Sequence, residues 1–220
     1  MNKSYAYDGA DLIIRSLLRD VENGFYVDLG ANHPIDFSNT YGLYLSGWSG
    51  VAVDGNEKFI KLWAESRPRD IFLNALVSNE EKDVNYTIFS EDTLSSIDPP
   101  TVDRYKQRNT ISGFEIVNMR TVTLQTILDS YANDKEVHLM SVDVEGEDFN
   151  VLKGFNFQSA LPGCVVVEIK NYSLYDVFSN EIVRFMKDYG YSLICKTPLD
   201  SFFVYKDKPY FDWIPRTMLG

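Results

Sequence analysis

Residues 25–32, with the sequence FYVDLGAN, constrain the fold of this chain more than any other segment. An apolar run ends at Asp28, and the chain then turns through Gly30, Ala31 and Asn32. A strand, a tight glycine turn and a following helix form the crevice in which open parallel sheets bind nucleotide-like ligands. Glycine adopts backbone angles that are closed to residues with a Cβ, and N–H groups at a helix start can bind an anion. The Asp28 carboxylate suits a ligand that also carries an ammonium group, so we predict a ligand site here.

The turn lacks the glycines of a dinucleotide-binding fingerprint. That fingerprint is G-x-G-x-x-G, in which the second glycine makes room for pyrophosphate. Counting from Gly30, Asn32 and Ile35 occupy the positions of the two later glycines. Pyrophosphate is therefore disfavoured, and the alternative at this point is an ordinary strand–turn–helix unit without a ligand.

A second apolar run, GVAVD at 50–54, ends at Asp54. An acidic residue at the end of the second strand, about 20 residues beyond the glycine turn, is placed to accept hydrogen bonds from ribose hydroxyls. The intervening residues 37–48 are long enough for a crossover helix, with Ser38 or Asn39 as its N-cap. Asp28 and Asp54 together fit the two ends of an adenosyl amino acid.

Further motifs continue this pattern along the chain. They are DLGAN at 28–32, DGN at 54–56, TL at 123–124, VDVEG at 142–146 and VLKG at 151–154. The series resembles the FkbM family of S-adenosylmethionine-dependent methyltransferases, over about residues 25–169. Two positions depart from the family pattern. His33-Pro34 stands where the family often has a glycine, which leaves the details of the methionine pocket open, and Asp54-Gly55-Asn56 replaces a frequent Glu-Pro-Asn but keeps a carboxylate.

The resemblance implies a Rossmann-like class I methyltransferase that uses S-adenosylmethionine, most simply for O-methylation of a sugar, glycan or related small metabolite. A polyketide-type hydroxyl or a lipid-linked saccharide fits equally well as acceptor. The residues implied to contact the cofactor are Asp28, Gly30, Ala31, Asn32, Asp54, Gly55 and Asp143. We expect the adenine to lie against the loop that follows a strand at 70–75, with Asn74 and Ala75 nearest.

Apolar strand-like runs alternate with helical stretches over the whole chain, which we interpret as a single domain. We predict a mainly parallel seven-stranded sheet with helices on both faces and an antiparallel terminal hairpin. The predicted strands are 24–28, 50–54, 70–75, 83–89, 138–143, 164–169, 191–195 and 201–205, and the predicted helices are 8–19 (within a leading segment, 1–22), 38–46, 56–66, 124–131, 147–153 and 179–188. We expect Trp48 and Trp63 to pack in the core, and Cys164 and Cys195 to be buried free thiols.

Residues 90–118 form the longest stretch without a clear hydrophobic period. Long irregular insertions in compact domains are usually functional lids or disordered. We therefore predict a lid or acceptor-binding insertion, and a surface loop with solvated charges is the alternative. Arg104 and Arg108 could meet an anionic sugar or a phosphate there.

Asp143 and Glu168 each end a predicted strand, and we expect adjacent parallel strands to bring the two carboxylates together. With Asn171 they form a set of oxygen ligands that suits Mg²⁺, which would lower the pKa of an acceptor hydroxyl. In the alternative without a metal, Asp143 acts as a base or a cofactor contact, while Glu145 and Glu147 favour the next helix N-terminus. Glu168 is a catalytic candidate in either case.

The chain has two histidines, and only His33 lies near the predicted site. It could act as the base or orient the acceptor, or it could cap the turn before Pro34. His138 opens a buried strand, and we expect a structural role for it.

The net charge of −11 argues against a nucleic-acid partner, because phosphate backbones are bound mainly by basic residues. No apolar run approaches the length of about 20 residues that spans a bilayer, and we expect a cytoplasmic protein that binds a small-molecule or glycan acceptor. The sequence does not disclose the oligomeric state. Two other functions stay open: a nucleotide-sugar or NAD-dependent enzyme that uses the same crevice, and a non-catalytic binding module.

Overall fold

A computed structural model describes residues 3–158, 161–170 and 172–218. The strands in these residues are β1 (Phe25–Leu29), β2 (Ser49–Asp54), β3 (Ile71–Asn74), β4 (Leu76–Ser78), β5 (Asp83–Phe89), β6 (Phe114–Thr123), β7 (Leu139–Val142), β8 (Cys164–Glu168), β9 (Tyr191–Lys196) and β10 (Asp200–Tyr205). The α-helices are α1 (Ala10–Leu17), α2 (Tyr41–Leu45), α3 (Phe59–Ser66), α4 (Pro99–Lys106), α5 (Leu124–Tyr131), α6 (Asp148–Lys153) and α7 (Glu181–Asp188).

Seven strands form the main sheet in the order β3-β2-β1-β7-β8-β10-β9. The first five are parallel, and β10 pairs antiparallel with both β8 and β9. This arrangement confirms the predicted class I methyltransferase fold, including its terminal hairpin. Because β10 runs in the opposite direction, its first residue pairs with the last residue of β8, so Asp200 faces Glu168 at the carboxyl edge of the parallel strands.

Both faces of the sheet are covered because the central strand is apolar on both. All five residues of β1 are buried. Phe25, Val27 and Leu29 pack into a core with α5, α6 and α7, whereas Tyr26 faces a second core that contains α1 and Trp48. Burial of each such side chain stabilises the fold by about 1.5–3 kcal/mol. The two cores hold the strand ends in fixed positions at one edge of the sheet.

A second sheet of three strands, in the order β4-β6-β5, extends from the main body. Here the prediction of an irregular stretch at 90–118 was wrong: this stretch contains α4 and the first half of β6. The cap of α4 is regular, because the Asp98 carboxylate accepts a hydrogen bond from the Thr101 N–H at 3.0 Å. The first half of β6 pairs only with β5 and is exposed on both faces, so its sequence shows no alternation of polar and apolar residues.

Most of the remaining packing predictions hold. Trp48 and Trp63 are core residues, and Cys164 is buried, but Cys195 is only half-buried. The His138 Nδ1 accepts a hydrogen bond from the Phe25 N–H, which is the expected structural role. Among the residues described, no helix has the length and apolar character needed to cross a membrane.

Candidate active site

The carboxyl ends of β1, β2 and β7 line an open cleft, here called the cofactor cleft for its predicted ligand. Eight of the residues predicted to contact the cofactor line it: Asp28, Gly30, Ala31, Asn32, Asp54, Gly55, Ala75 and Asp143. The remaining one, Asn74, is not among the lining residues, and its side-chain amide donates to the Asp54 backbone carbonyl at 3.0 Å. A contact between Asn74 and a ligand stays a prediction.

A glycine is required at position 30 because the backbone there passes very close to the backbone of Asp143. Its φ is +76°, and a Cβ at this position would lie 1.7 Å from the Asp143 carbonyl oxygen. The turn after β1 therefore packs directly on the residue that follows β7, and Asp143 donates its N–H to the Leu29 carbonyl at 3.0 Å. The positive φ agrees with the backbone angles that the sequence argument expected of this glycine, and contact of Gly30 with a cofactor stays a prediction.

Asp54 ties two loops of the cofactor cleft together. One carboxylate oxygen accepts the Asn32 N–H at 2.9 Å, and the other accepts the Asn56 N–H at 2.8 Å. Burial raises the pKa of Asp54 to about 6, although both N–H groups act in the opposite direction. Each oxygen keeps a second lone pair, so the carboxylate can still accept hydrogen bonds from ligand hydroxyls.

Asp28 belongs to a buried polar network that sequence reasoning missed. Its carboxylate accepts the Thr40 hydroxyl at 2.6 Å, and Thr40 also accepts from the buried Arg67 guanidinium at 3.0 Å. Arg67 pairs with Asp70 at 2.7 Å. Burial raises the pKa of Asp28, and the Thr40 hydrogen bond opposes that shift. Asp28 thus has a structural partner as well as a face on the cleft.

Asp143 and Glu168 do lie together, as predicted, and Glu145 joins them. One carboxylate oxygen from each of the three lies within 4.8 Å of the others. Burial raises the pKa of Asp143 well above its usual range, with Glu168 adding to the effect, and burial with Glu145 raises the pKa of Glu168 to about 8. The Asp143 Oδ1 is buried and has no hydrogen-bond partner in the described structure. A buried polar atom without a partner requires an explanation, and a hydrogen bond from a ligand would supply one.

Lys170 was not predicted, and it occupies the centre of this acidic group. Its Nζ lies 2.5 Å from Glu168 and 3.0 Å from Glu145. Burial disfavours the ammonium, but the neighbouring carboxylates, Glu145 first, outweigh burial and raise the pKa of Lys170. A metal ion held by Asp143 and Glu168 would have to displace this ammonium. The third predicted ligand, Asn171, lies outside the described residues.

The helix α4 reaches the same group, which connects the 90–118 segment to the site. The Tyr105 hydroxyl donates to the Glu145 carboxylate at 2.5 Å, and the Ser96 hydroxyl donates to the Glu145 carbonyl at 2.7 Å. Arg108 stacks over the Tyr105 ring at 4.4 Å. A lid function for this segment stays a prediction, and these contacts place the segment against the candidate catalytic residues.

His33 has the geometry of a turn cap. Its Nδ1 accepts the N–H groups of Asp36 at 2.9 Å and Ile35 at 3.2 Å. In the neutral ring the proton is then on Nε2, where it can donate a hydrogen bond but cannot act as a base. A catalytic role for His33 stays a prediction, and the geometry favours orientation of an acceptor over proton removal.

A second and larger cavity adjoins the cofactor cleft, and it is here called the acceptor cavity for the role that we propose for it below. The two share Asn32, Asp143 and Glu145 among their lining residues. Its other walls come from the N-terminal segment, the turn after β1, the 90–118 segment, the end of β8 and the turn of the terminal hairpin. Arg108 lines this cavity, whereas Arg104 donates to Thr101 Oγ1 at 3.3 Å and is not among the lining residues.

Residues 28–193 match the methyltransferase FkbM domain family. No curated protein sequence shows significant similarity to the chain. Two similar solved structures are the PH1948 protein from Pyrococcus horikoshii, for which an RNA methyltransferase activity is proposed, and a TehB-like S-adenosylmethionine-dependent methyltransferase from Corynebacterium glutamicum. The first is 12% identical with a TM-score of 0.43 and covers 89% of this chain and 82% of that one. The second is 10% identical with a TM-score of 0.44, and the match covers 93% of this chain and 90% of that one.

Proposed function

This chain belongs to the FkbM methyltransferase family, and we propose that it transfers a methyl group from S-adenosylmethionine to a hydroxyl of a sugar, glycan or related small metabolite. The observation that carries the proposal is the position of Asp143, where the cofactor cleft adjoins the acceptor cavity. This residue lines both the cofactor cleft and the acceptor cavity, and one of its buried carboxylate oxygens has no described partner.

The cofactor cleft fits an adenosyl amino acid. Asp54 lies at the end of β2, where it would accept hydrogen bonds from ribose hydroxyls, and its position is fixed by the N–H groups of Asn32 and Asn56. Gly30 and Asp28 line this cleft, and Asp28 adds a negative charge for an ammonium group. When bound, S-adenosylmethionine supplies a methyl group on a positively charged sulfur.

The protein must then align the acceptor oxygen with that methyl carbon and take up the hydroxyl proton. In the transfer the carbon–sulfur bond breaks as the carbon–oxygen bond forms, and the sulfur keeps the electron pair. Asp143 is our candidate for the proton acceptor, because one of its carboxylate oxygens has no described partner and a raised pKa makes the ionised carboxylate a stronger base. Glu168 and Lys170 complete the polar group around it.

Mg²⁺ is not needed to explain this arrangement. The carboxylates of Asp143, Glu145 and Glu168 are chemically suited to Mg²⁺, but the Lys170 ammonium already contacts two of them. We assign no step to a metal.

Isothermal titration with S-adenosylmethionine and S-adenosylhomocysteine tests the proposal directly. We expect micromolar binding of both, and Asp54→Ala should weaken it at least about tenfold. Asp212→Ala is the matched control, because Asp212 is an exposed carboxylate that does not line either cavity. If neither ligand binds, the proposal is wrong, and binding of NAD instead would support the dinucleotide alternative.

A further inference from the structure

Asp200 is a buried carboxylate without a described partner on the wall of the acceptor cavity. The residue is only 7% exposed, and it lines the cavity. Its backbone N–H donates to Thr197 Oγ1 at 2.8 Å, but no described residue donates a hydrogen bond to its carboxylate. Burial, and then the neighbouring Asp8 carboxylate, raise the pKa of Asp200 to about 7. The Asp200 carboxylate oxygens are not among the buried atoms that lack a partner, so this carboxylate is accessible from the cavity that the residue lines.

Asp8 provides a second carboxylate with an unpaired oxygen, and the residue lines the same cavity. Its Oδ1 accepts the Ala10 N–H at 3.2 Å, whereas its Oδ2 is buried without a partner in the described structure. Asp8 and Asp200 come from opposite ends of the chain, and both line the acceptor cavity. Neither lines the cofactor cleft. The pair is therefore placed to contact the acceptor and not the cofactor.

The cations nearest to this pair are engaged elsewhere. Lys196 donates to the carbonyls of Ile169 at 2.7 Å and Thr197 at 3.1 Å. Lys170 is held by Glu145 and Glu168. Both ammonium groups favour ionised Asp200, but neither forms an ion pair with it.

The rest of the acceptor cavity is also acidic and has aromatic rings on one side. The acidic residues that line it outnumber the basic ones, which are Arg108, Lys170 and His33. The acidic residues are Asp8, Asp36, Glu91, Asp92, Asp143, Glu145, Glu168 and Asp200. The exposed rings of Tyr7 and Phe37, with centroids 6.0 Å apart, line it as well. Carboxylates and aromatic faces are both favourable surroundings for an organic cation.

A divalent metal fits this pair less well. Mg²⁺ and Ca²⁺ take at least about six oxygen ligands, several of them from the protein or water. Among the described residues, the cluster of three potential ligands is formed by Asp143, Glu145 and Glu168, and it includes neither Asp8 nor Asp200. An ammonium group needs only the two carboxylates.

We propose that Asp8 and Asp200 form a binding subsite for an ammonium group on the acceptor, so that the acceptor is an amine-bearing small molecule such as an amino sugar. This inference rests on the proposed function only where it identifies the ligand as the methyl acceptor. The evidence for the carboxylate pair comes from the cavity itself. The ammonium would sit between the two carboxylates, and the acceptor would extend from there toward Asp143.

The test compares three matched sugars: glucosamine, glucose and glucuronate. Their dissociation constants are measured by NMR titration at about pH 7, with and without S-adenosylhomocysteine. We expect glucosamine to bind at least about tenfold more tightly than glucose, and glucuronate to bind more weakly than both. Asp200→Asn and, separately, Asp8→Asn should abolish the preference for glucosamine. The control is Asp207→Asn, an exposed carboxylate beyond the other end of β10, which should keep it.

The inference is overturned if glucosamine binds no better than glucose, including the case in which neither binds, or if Asp200→Asn keeps the preference. It is also overturned if Asp200→Asn weakens S-adenosylhomocysteine binding tenfold, because the pair would then serve the cofactor. The proposed function fails separately, through the absence of cofactor binding in the unmodified protein. The sugar preference measured without S-adenosylhomocysteine does not depend on that result.

Discussion

The cofactor cleft and the acceptor cavity use carboxylates in opposite ways. In the cofactor cleft the Asp54 oxygens accept backbone N–H groups, and Asp28 accepts a hydroxyl. In the acceptor cavity an oxygen of Asp8 is buried without a described partner, and no described donor reaches the Asp200 carboxylate. Asp143, which lines both spaces, also has one buried oxygen without a described partner. The first set holds loops in place before any ligand arrives. The second set is held by its strands and loops and is free to bind a ligand.

The largest expected effect is a loss of stability when Gly30, in the cofactor cleft, is replaced. Gly30→Ala would place a Cβ within 1.7 Å of the Asp143 carbonyl at a positive φ, so we expect a loss of more than about 3 kcal/mol in the free energy of unfolding, or no folded protein. Urea unfolding measures the loss. Gly113→Ala is the control, because no atom lies within 4 Å of its added Cβ. Equal stability of the two variants would contradict the backbone contact described here.

The next prediction distinguishes residues that bind the cofactor from residues that take part in methyl transfer. Asp143→Asn should lower kcat for methyl transfer by at least about 100-fold, because it removes the base. Asp54→Asn should instead weaken S-adenosylhomocysteine binding. A labelled-methyl transfer assay together with titration gives both values. If Asp143→Asn leaves kcat within about threefold of the unmodified enzyme, the base is another residue.

A third prediction concerns the pH dependence of stability without ligands. Burial raises the pKa values of Asp54, Asp148, Asp200 and Glu168 to about 6, 6, 7 and 8. The folded state then binds protons more tightly than the unfolded state, so the free energy of unfolding should fall as pH rises from about 4 to about 8. Asp200→Asn should flatten this dependence and gain at least about 1 kcal/mol at pH 8. Urea unfolding at several pH values is the measurement, and a loss of stability in Asp200→Asn at pH 8 would contradict it.

The smallest effect concerns Mg²⁺. Because Lys170 contacts Glu145 and Glu168, we expect addition of Mg²⁺ or EDTA to leave the melting temperature and the transfer rate unchanged. Lys170→Met leaves three carboxylates without their cation, so Mg²⁺ should then raise the melting temperature. A strong loss of activity with EDTA in the unmodified enzyme would instead support the metal.

The sequence was sufficient for the main sheet and for the meeting of Asp143 with Glu168, since consecutive parallel strands end at one edge. The sequence was not sufficient where a residue's role depends on strand pairing or on a contact with a residue that is distant in the sequence. Asp200 was assigned to a polar turn, although the first residue of a returning antiparallel strand lies at the same edge as the ends of its parallel neighbours. Lys170 follows Glu168 by two residues, but its role depends on Glu145, 25 positions earlier. The strand β6 was missed because both of its faces are exposed over most of its length.

The contact between Gly30 and Asp143 has a consequence for how such an enzyme diversifies. The turn that carries the cofactor residues and the turn that begins at Asp143 touch through backbone atoms, so substitutions elsewhere leave their spacing unchanged. The acceptor cavity is lined partly by these two turns and partly by three other segments: the residues around Asp8, the 90–118 segment and the hairpin turn before Asp200. Substitutions in those three segments can therefore change the shape of the acceptor cavity without touching the contact between Gly30 and Asp143.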